Sequence, residues 1–254
     1  MNLPSKPQVL LVLGTGTEIG KTYFSSALLR RFQDSGTKAL GLKPVESGVP
    51  QGEVGSDAQA LASASRTPAT QLFSFIDPVS PHLAAGREGA TIDFIQINQW
   101  VEERIQSHQP ELTLLETAGG AFSPLSSSSV NASLYASLST QFSVEVLLLA
   151  PNRLGVLSDL TAYLRALAAF SVNVDYLVLN TWQNSERESE SKNEEFSRVE
   201  DDFSLDSNFE ELNQLILPQL RDLHRFKCVV DSSREQQLNE LMGRLQSLSS
   251  TDEL

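Results

Sequence analysis

The sequence predicts an α/β protein, a doubly wound and mostly parallel sheet with helices on both faces. Three observations carry that expectation. Short apolar runs alternate with segments of helical spacing from Val9 to Asn180, the pattern of successive βα units. The first run ends in a glycine-rich turn that opens directly into a helix. The 254 residues are 40% apolar and 20% charged, which suits one globular domain with a sizeable core. No Pro/Gly-rich linker divides them, so a single domain over residues 1–254 is expected.

The first strand is Val9 to Leu13. It leads into Gly14-Thr15-Gly16-Thr17-Glu18-Ile19-Gly20-Lys21-Thr22. Strand, glycine turn and helix start together form a phosphate cradle, because the N–H groups of the turn and of the helix's first turn converge on one anion. Lys21 reaches outer phosphates and the Thr22 hydroxyl sits on a magnesium ion. The common spacing would place glycine at position 15. Here Thr15 stands there and Gly14 lies one residue further back, a lengthened variant of the P-loop.

The helix over Thr22–Phe32 has apolar groups at Phe24, Ala27, Leu28 and Phe32 and stops at Asp34-Ser35-Gly36. Lys38–Leu42 is a short strand, parallel to the first and ended by Pro44. Lys43–Gly48 follows at its carboxyl end, where open α/β sheets bind ligands. A helix over 57–64 starts with Ser56 or Asp57 as its N-cap. Residues 73–85, with two prolines, read as an ordered loop, and 91–107 as an amphipathic helix. Leu112–Leu115 is a strand ending in Glu116-Thr117-Ala118-Gly119-Gly120, a carboxylate placed to hold a hydrated metal near phosphates. A serine-rich loop at 123–129 and a helix at 131–139 precede the apolar strand 144–150. Helix 157–169, strand 174–180, helix 209–223, strand 226–230 and helix 233–248 complete the order. Asn184–Asp206 carries nine acidic residues against three basic ones and reads as a mobile loop or frayed helix inserted in the domain.

Composition narrows the function. A formal charge of −13 argues against a nucleic-acid partner, which needs a clustered basic face, and against an anionic membrane. No apolar stretch is long enough to span a bilayer, and the N-terminal residues lack a signal-peptide core. The single cysteine, Cys228, fits a reducing compartment, so the expected location is cytoplasmic. No histidine or cysteine cluster suggests zinc. Thr22, Asp57 and Glu116 form an oxygen set suited to Mg²⁺, and Lys43 supplies a second cation opposite Lys21 for a transferring phosphoryl group.

GTGTEIGKT, LKPVESG, GSDAQAL, SPHLAA, ETAGGAFSPL and VLN, in this order and at these intervals, resemble the dethiobiotin synthetase family over about residues 8 to 182. The resemblance implies a homodimer that converts 7,8-diaminononanoate, CO₂ and ATP into dethiobiotin, ADP and phosphate. It also implies residue roles. Glu18, Ile19, Gly20, Lys21, Thr22 and Tyr23 bind the nucleotide, with Mg²⁺ held by Thr22, Asp57 and Glu116. Lys21 and Lys43 are catalytic, and Thr17, Lys43 and Ser47 contact the diamine or its carbamate. Glu116, Thr117, Ala118 and Gly119 line the pocket, and Asn180 reads adenine. Leu154, Gly155, Val156 and Leu157, at a helix start, hold the substrate carboxylate of the opposite subunit. The chain departs from the family pattern at Gly16, where aspartate is usual, and at Thr117, where glycine is usual and a side chain is expected to narrow the pocket. It also lacks the usual Gly-Glu-[Ile/Val]-Pro near Phe226–Ser232. Other readings of the same cradle are a switch or partitioning ATPase, whose signature lysine is replaced by Gly16, and a catalytically weak homologue of the synthetase. An amidoligase-type synthetase would normally bring a glutamine-hydrolase signature, absent around Cys228.

Overall fold

The computed structural model describes residues 6–181 and 207–249; the acidic segment Asn184–Asp206 lies outside them. Six strands form one fully parallel sheet: β1 (Gln8–Gly14), β2 (Ala39–Leu42), β5 (Leu112–Glu116), β6 (Ser143–Pro151), β7 (Tyr176–Asn180) and β8 (Cys228–Asp231), in the spatial order β2-β5-β1-β6-β7-β8. The expected mostly parallel, doubly wound sheet is what forms.

Both faces of this sheet are buried, and the strand sequences show why they must be. Successive side chains of a strand point to opposite faces. Val9, Leu11 and Leu13 of β1 join one apolar cluster, while Leu10 and Val12 join another. On β6 the same division separates Val146, Leu148 and Ala150 from Leu147 and Leu149. Near-continuous apolar strands are the consequence of a sheet covered on both sides.

The helices cover the two faces separately. α1 (Lys21–Asp34), α2 (Ser56–Ser65) and the helix Glu235–Ser249 pack one side through Phe24, Leu28, Leu29, Phe32, Leu61, Leu241 and Leu245. α4 (Phe94–His108), α5 (Leu134–Leu138) and α6 (Val156–Ala169) pack the other through Ile97, Trp100, Val101, Leu134, Leu138, Leu160 and Leu164. Truncating one such side chain to alanine costs about 2–5 kcal/mol. Residues 207–220 are helical, with a π-type stretch at Leu212–Ile216.

Two local expectations need correction. Residues 73–85 are not a plain loop. They hold β4 (Phe73–Phe75) and most of α3 (Pro81–Arg87), and β4 pairs in parallel with β3 (Val45–Ser47) in a separate two-stranded sheet. Pro81 opens α3 at the first helical position, where its missing N–H costs nothing. The second correction concerns the start of α2. Gly55 is its N-cap, without a side-chain cap bond, and Ser56 and Asp57 are already helical.

β1 lies inside the sheet: the chain runs from it to the edge strand β2, returns to β5 between the two, then crosses to β6 on the other side of β1 and continues outward through β7 and β8. Between β1 and β6 the winding direction reverses, so the loops after these strands diverge and leave a crevice at the carboxyl edge. That crevice holds the site.

Candidate functional site

β1 delivers the turn Thr15–Gly20 to the crevice, and α1 leaves it at Lys21. Gly20 has φ +82°, a left-handed conformation open to glycine at little steric cost. Glu18, also left-handed at φ +57°, is a non-glycine residue held in a sparsely populated conformation within the cradle. α1 has no side-chain cap, so the amides of its first turn face the crevice with no acceptor within the helix. Lys21 lies back along the loop, its Nζ donating to Gly16 O at 3.0 Å. Burial, and then the nearby Lys43 charge, lower its pKa to about 8.

β2 and β5 bring a second group to the same place. Lys43, immediately after β2, is buried, and its Nζ donates to Glu116 Oε1 at 2.8 Å, Asp57 Oδ2 at 2.9 Å and Thr117 O at 3.2 Å. Burial alone would lower the pKa of this ammonium, but the Glu116 and Asp57 carboxylates together outweigh it and raise the pKa above the ordinary lysine value. Burial likewise pushes the Asp57 carboxyl up, and Lys43, with help from Thr22, overcomes it and holds Asp57 below the usual range. Glu116 ends β5 with 0% exposure; its Oε1 also accepts from Thr22 Oγ1 at 2.7 Å.

These groups line one cavity of about 780 Å³, bounded by Thr15–Tyr23, Lys43, Asp57, Glu116, Gly119, Pro151 and Arg153. Of the sequence-predicted residues, Thr17, Glu18, Ile19, Gly20, Lys21, Thr22, Tyr23, Lys43, Asp57, Glu116 and Gly119 meet there. Thr117 does not narrow it. Its side chain is buried, and its hydroxyl donates to Val12 O of β1 at 3.0 Å. Ala118 contributes its carbonyl to Asn131 Nδ2 rather than a wall to the cavity. Ser47 donates to Val79 O at 2.6 Å and is also outside the lining. Leu154 is 83% exposed, and Gly155, with φ +89°, leaves the start of α6 without a side-chain cap. Val156 is buried in the core and Leu157 half-buried.

Asn180 lines a neighbouring cavity of about 460 Å³, between α1, the ends of β7 and β8, and the helix Glu235–Ser249. Tyr23 borders both cavities. The Asn180 amide donates to Ile19 O at 2.9 Å and accepts from Ser232 Oγ at 3.0 Å, tying the cradle to the end of β8. Three groups around these cavities had no signal in the sequence. Arg31 and Glu235 form a two-pronged ion pair at 2.6 and 2.7 Å on the rim of the second cavity. Asn131, in the serine-rich region, clamps Ala118 O and Gly120 O and so fixes the glycine turn after β5.

A fully parallel sheet with a glycine cradle at the head of α1 defines a P-loop nucleotide-binding protein. A family model described as an AAA domain matches residues 8–225. The ATP-dependent dethiobiotin synthetase BioD of Methylobacterium nodulans is 33% identical over 183 residues, covering 67% of this chain and 80% of that one. The protein of the same name from Rhodopirellula baltica is 31% identical over 201 residues, covering 72% and 77%. Within that AAA class, this chain belongs to the dethiobiotin synthetase family. Among solved structures, the hydrogenase maturation factor HypB of Archaeoglobus fulgidus superposes with a TM-score of 0.50 at 12% identity, covering 95% of this chain and 90% of that one. That likeness shows the fold alone.

Proposed function

We propose that this chain is an ATP-dependent dethiobiotin synthetase that carboxylates 7,8-diaminononanoate with CO₂ and closes the ring, releasing ADP and phosphate. The observation that carries the reading is the convergence of Lys21 and Lys43 on one cavity with the buried Glu116 beside them. One amine of the diamine captures CO₂ as a carbamate, and a carbamate oxygen takes the γ-phosphoryl group from ATP. The second amine then attacks the carbonyl carbon, and the C–O bond to phosphate breaks.

Charge positioning does the enzymatic work. Lys43, held cationic by Glu116 and Asp57, suits stabilising the carbamate and the phosphoryl oxygens and is unsuited to removing protons. Lys21 and the amides of the cradle hold the outer phosphates. The donor set fits a magnesium ion: Glu116 Oε2 is buried without a hydrogen-bond partner, and Thr22 and Asp57 add hard oxygens beside it. When bound, Mg²⁺ neutralises phosphate charge.

The nucleoside runs past Tyr23 into the neighbouring cavity, where Asn180 faces the adenine. Thr17 and Ser47 serve the diamine side, with Ser47 acting through the Val79 segment it holds. The chain works as a homodimer in the cytoplasm, without nucleic-acid or membrane partners. The exposed Leu154 and the uncapped start of α6 support the placement of Leu154–Leu157 against the substrate carboxylate of the opposite subunit. Among the described residues, no helix is long and apolar enough to cross a membrane.

The test is phosphate release from ATP with and without diaminononanoate and bicarbonate, together with detection of the ring product. Release that ignores the diamine, with no ring product, would refute the reading.

A further inference from the structure

We infer that Glu46 is the positioning residue that sets Asp57 for metal binding, an assignment that rests on the reading of Thr22, Asp57 and Glu116 as the magnesium ligands.

α2 begins beside the catalytic cavity with a defect. Its N-cap is Gly55, which offers no side-chain acceptor to the amides of the first turn. Such amides need an acceptor, and the start of a helix favours a negative charge. Glu46, at the middle of β3 and 9% exposed, supplies both from another part of the chain. Its Oε1 accepts from Asp57 N at 3.1 Å and lies 3.4 Å from Ser56 Oγ; its Oε2 accepts from Ala58 N at 3.2 Å and from Gln71 Nε2 at 3.1 Å. Gln71 Oε1 in turn accepts from Gly55 N at 3.0 Å. The carboxylate is seated over residue 55 so closely that a Cβ there would come within 2.2–2.6 Å of it. Glycine is therefore the residue that admits this cap.

Asp57 is held twice by one four-residue stretch. Lys43 Nζ binds its carboxylate and Glu46 binds its backbone N–H. Because Asp57 lies in the first turn of α2, its carboxylate direction follows from where that turn sits. Losing the Glu46 cap frees the turn while leaving the phosphate cradle on α1 untouched. Outer residues that orient metal ligands typically change metal affinity by about 10–100-fold when replaced.

The experiment measures Mg²⁺ coupling directly by calorimetry: ADP affinity of the full chain in excess Mg²⁺ against that in EDTA. Glu46→Ala should reduce the Mg²⁺-dependent gain in ADP affinity by about tenfold, with metal-free ADP binding within twofold of the parent. Glu46→Gln, which keeps the volume but turns an NH₂ toward N–H donors, should reduce it in the same direction and serves if Glu46→Ala does not fold. A second-site rescue separates positioning from general damage. Removing the carboxylate takes away the three atoms nearest a Cβ at residue 55, and its φ of −62° suits any L-residue, so Gly55→Asp on the Glu46→Ala background should cap α2 locally and restore the coupling. Folded Glu46 variants with parental coupling would overturn the assignment and leave the metal reading standing. A parent without any Mg²⁺ coupling would overturn the metal reading and this assignment with it.

Discussion

Replacing Lys43 by methionine tests how the site is built before any substrate is present. The ammonium is enclosed by Glu116 at 2.8 Å and Asp57 at 2.9 Å, with side-chain exposures of 3% for the lysine, 0% for Glu116 and 37% for Asp57. Asp57 can turn to solvent; Glu116 cannot. Lys43→Met therefore leaves a fully buried carboxylate whose Oε1 retains Thr22 and whose Oε2 has no hydrogen bond. Removing one partner of a buried pair costs about 3–5 kcal/mol, because the other charge stays behind. For a domain of this size, that lowers the melting temperature by roughly 6–20 °C. Differential scanning calorimetry in EDTA without nucleotide reads the loss. Glu116→Gln on the same background removes the stranded charge and should recover more than half of it. A Lys43→Met protein that melts within about 2 °C of the parent would mean that Glu116 is not left as an isolated buried anion.

Other expectations follow from the same contacts. Lys43→Gln should lower turnover by at least about a hundredfold, and near-normal product formation in an assay with ATP, diamine and bicarbonate would remove Lys43 from the catalytic role. Lys21 has its pKa lowered from 10.5 to about 8. The unfolded chain keeps that proton up to 10.5, so Lys21 opposes folding most fully below pH 8, and its opposition fades between pH 8 and 10.5. Lys21→Met should accordingly stabilise the nucleotide-free protein at pH 7 in urea titrations, by a margin that narrows across that window, while ATP binding is lost. Thr117→Val removes the bond to Val12 O and should cost about 1 kcal/mol of stability with ATP affinity within twofold; a large affinity change would put the side chain back in the pocket. His224 is buried, with Nδ1 accepting from Val174 N at 3.1 Å and Nε2 donating to Leu164 O at 2.7 Å. Burial holds its pKa below 6.5, so its stabilisation is full above pH 6.5 and is lost as pH falls toward the folded value. His224→Gln should flatten that part of the stability profile below pH 6.5.

What the sequence disclosed about this fold was local. β1, the cradle and the start of α1 are legible because a strand, a glycine turn and a helix head occupy consecutive residues, and each obeys its own rule. β6 is legible because a strand buried on both faces must be apolar throughout. β3 and β4 were not. Three residues give too few alternations to show a period of two, and Pro44 and Pro78 interrupt the surroundings with loop signals. The site followed the same division. Lys21, Lys43, Asp57 and Glu116 each follow or flank a strand end, and the topology gathers such ends at one edge. The direction of Thr117 depends on the alternation continuing one residue past β5, which sends its hydroxyl to β1. Asn131, Glu46 and the Arg31–Glu235 pair act across intervals of 10 to 204 residues, and no spacing along the chain announces them.

The acidity of the whole chain, −13, hides a different balance in the cavity. Its ionisable lining consists of Glu18, Lys21, Lys43, Asp57, Glu116 and Arg153, three of each sign. A polyphosphate entering this space therefore meets no net attraction from side chains, and two of the cations are already committed, Lys43 to Glu116 and Arg153 to Asp159 at 2.8 Å. Oriented amides at the head of α1 account for part of the binding, but they bring no net charge. On the proposed magnesium reading the remaining compensation arrives with the nucleotide, and the buried Glu116 Oε2, without a hydrogen-bond partner, is where an accompanying divalent cation would be received. Raising Mg²⁺ should thus strengthen ATP binding far more than removing an acidic residue elsewhere on the surface. A surface substitution such as Glu103→Gln, on the exposed side of α4, should leave the Mg²⁺ dependence within twofold of the parent, because charges beyond about 8–10 Å are screened at physiological salt. A shift as large as that expected for the Glu46 variants would mean that the field of the whole chain, rather than the balance inside the cavity, governs nucleotide capture.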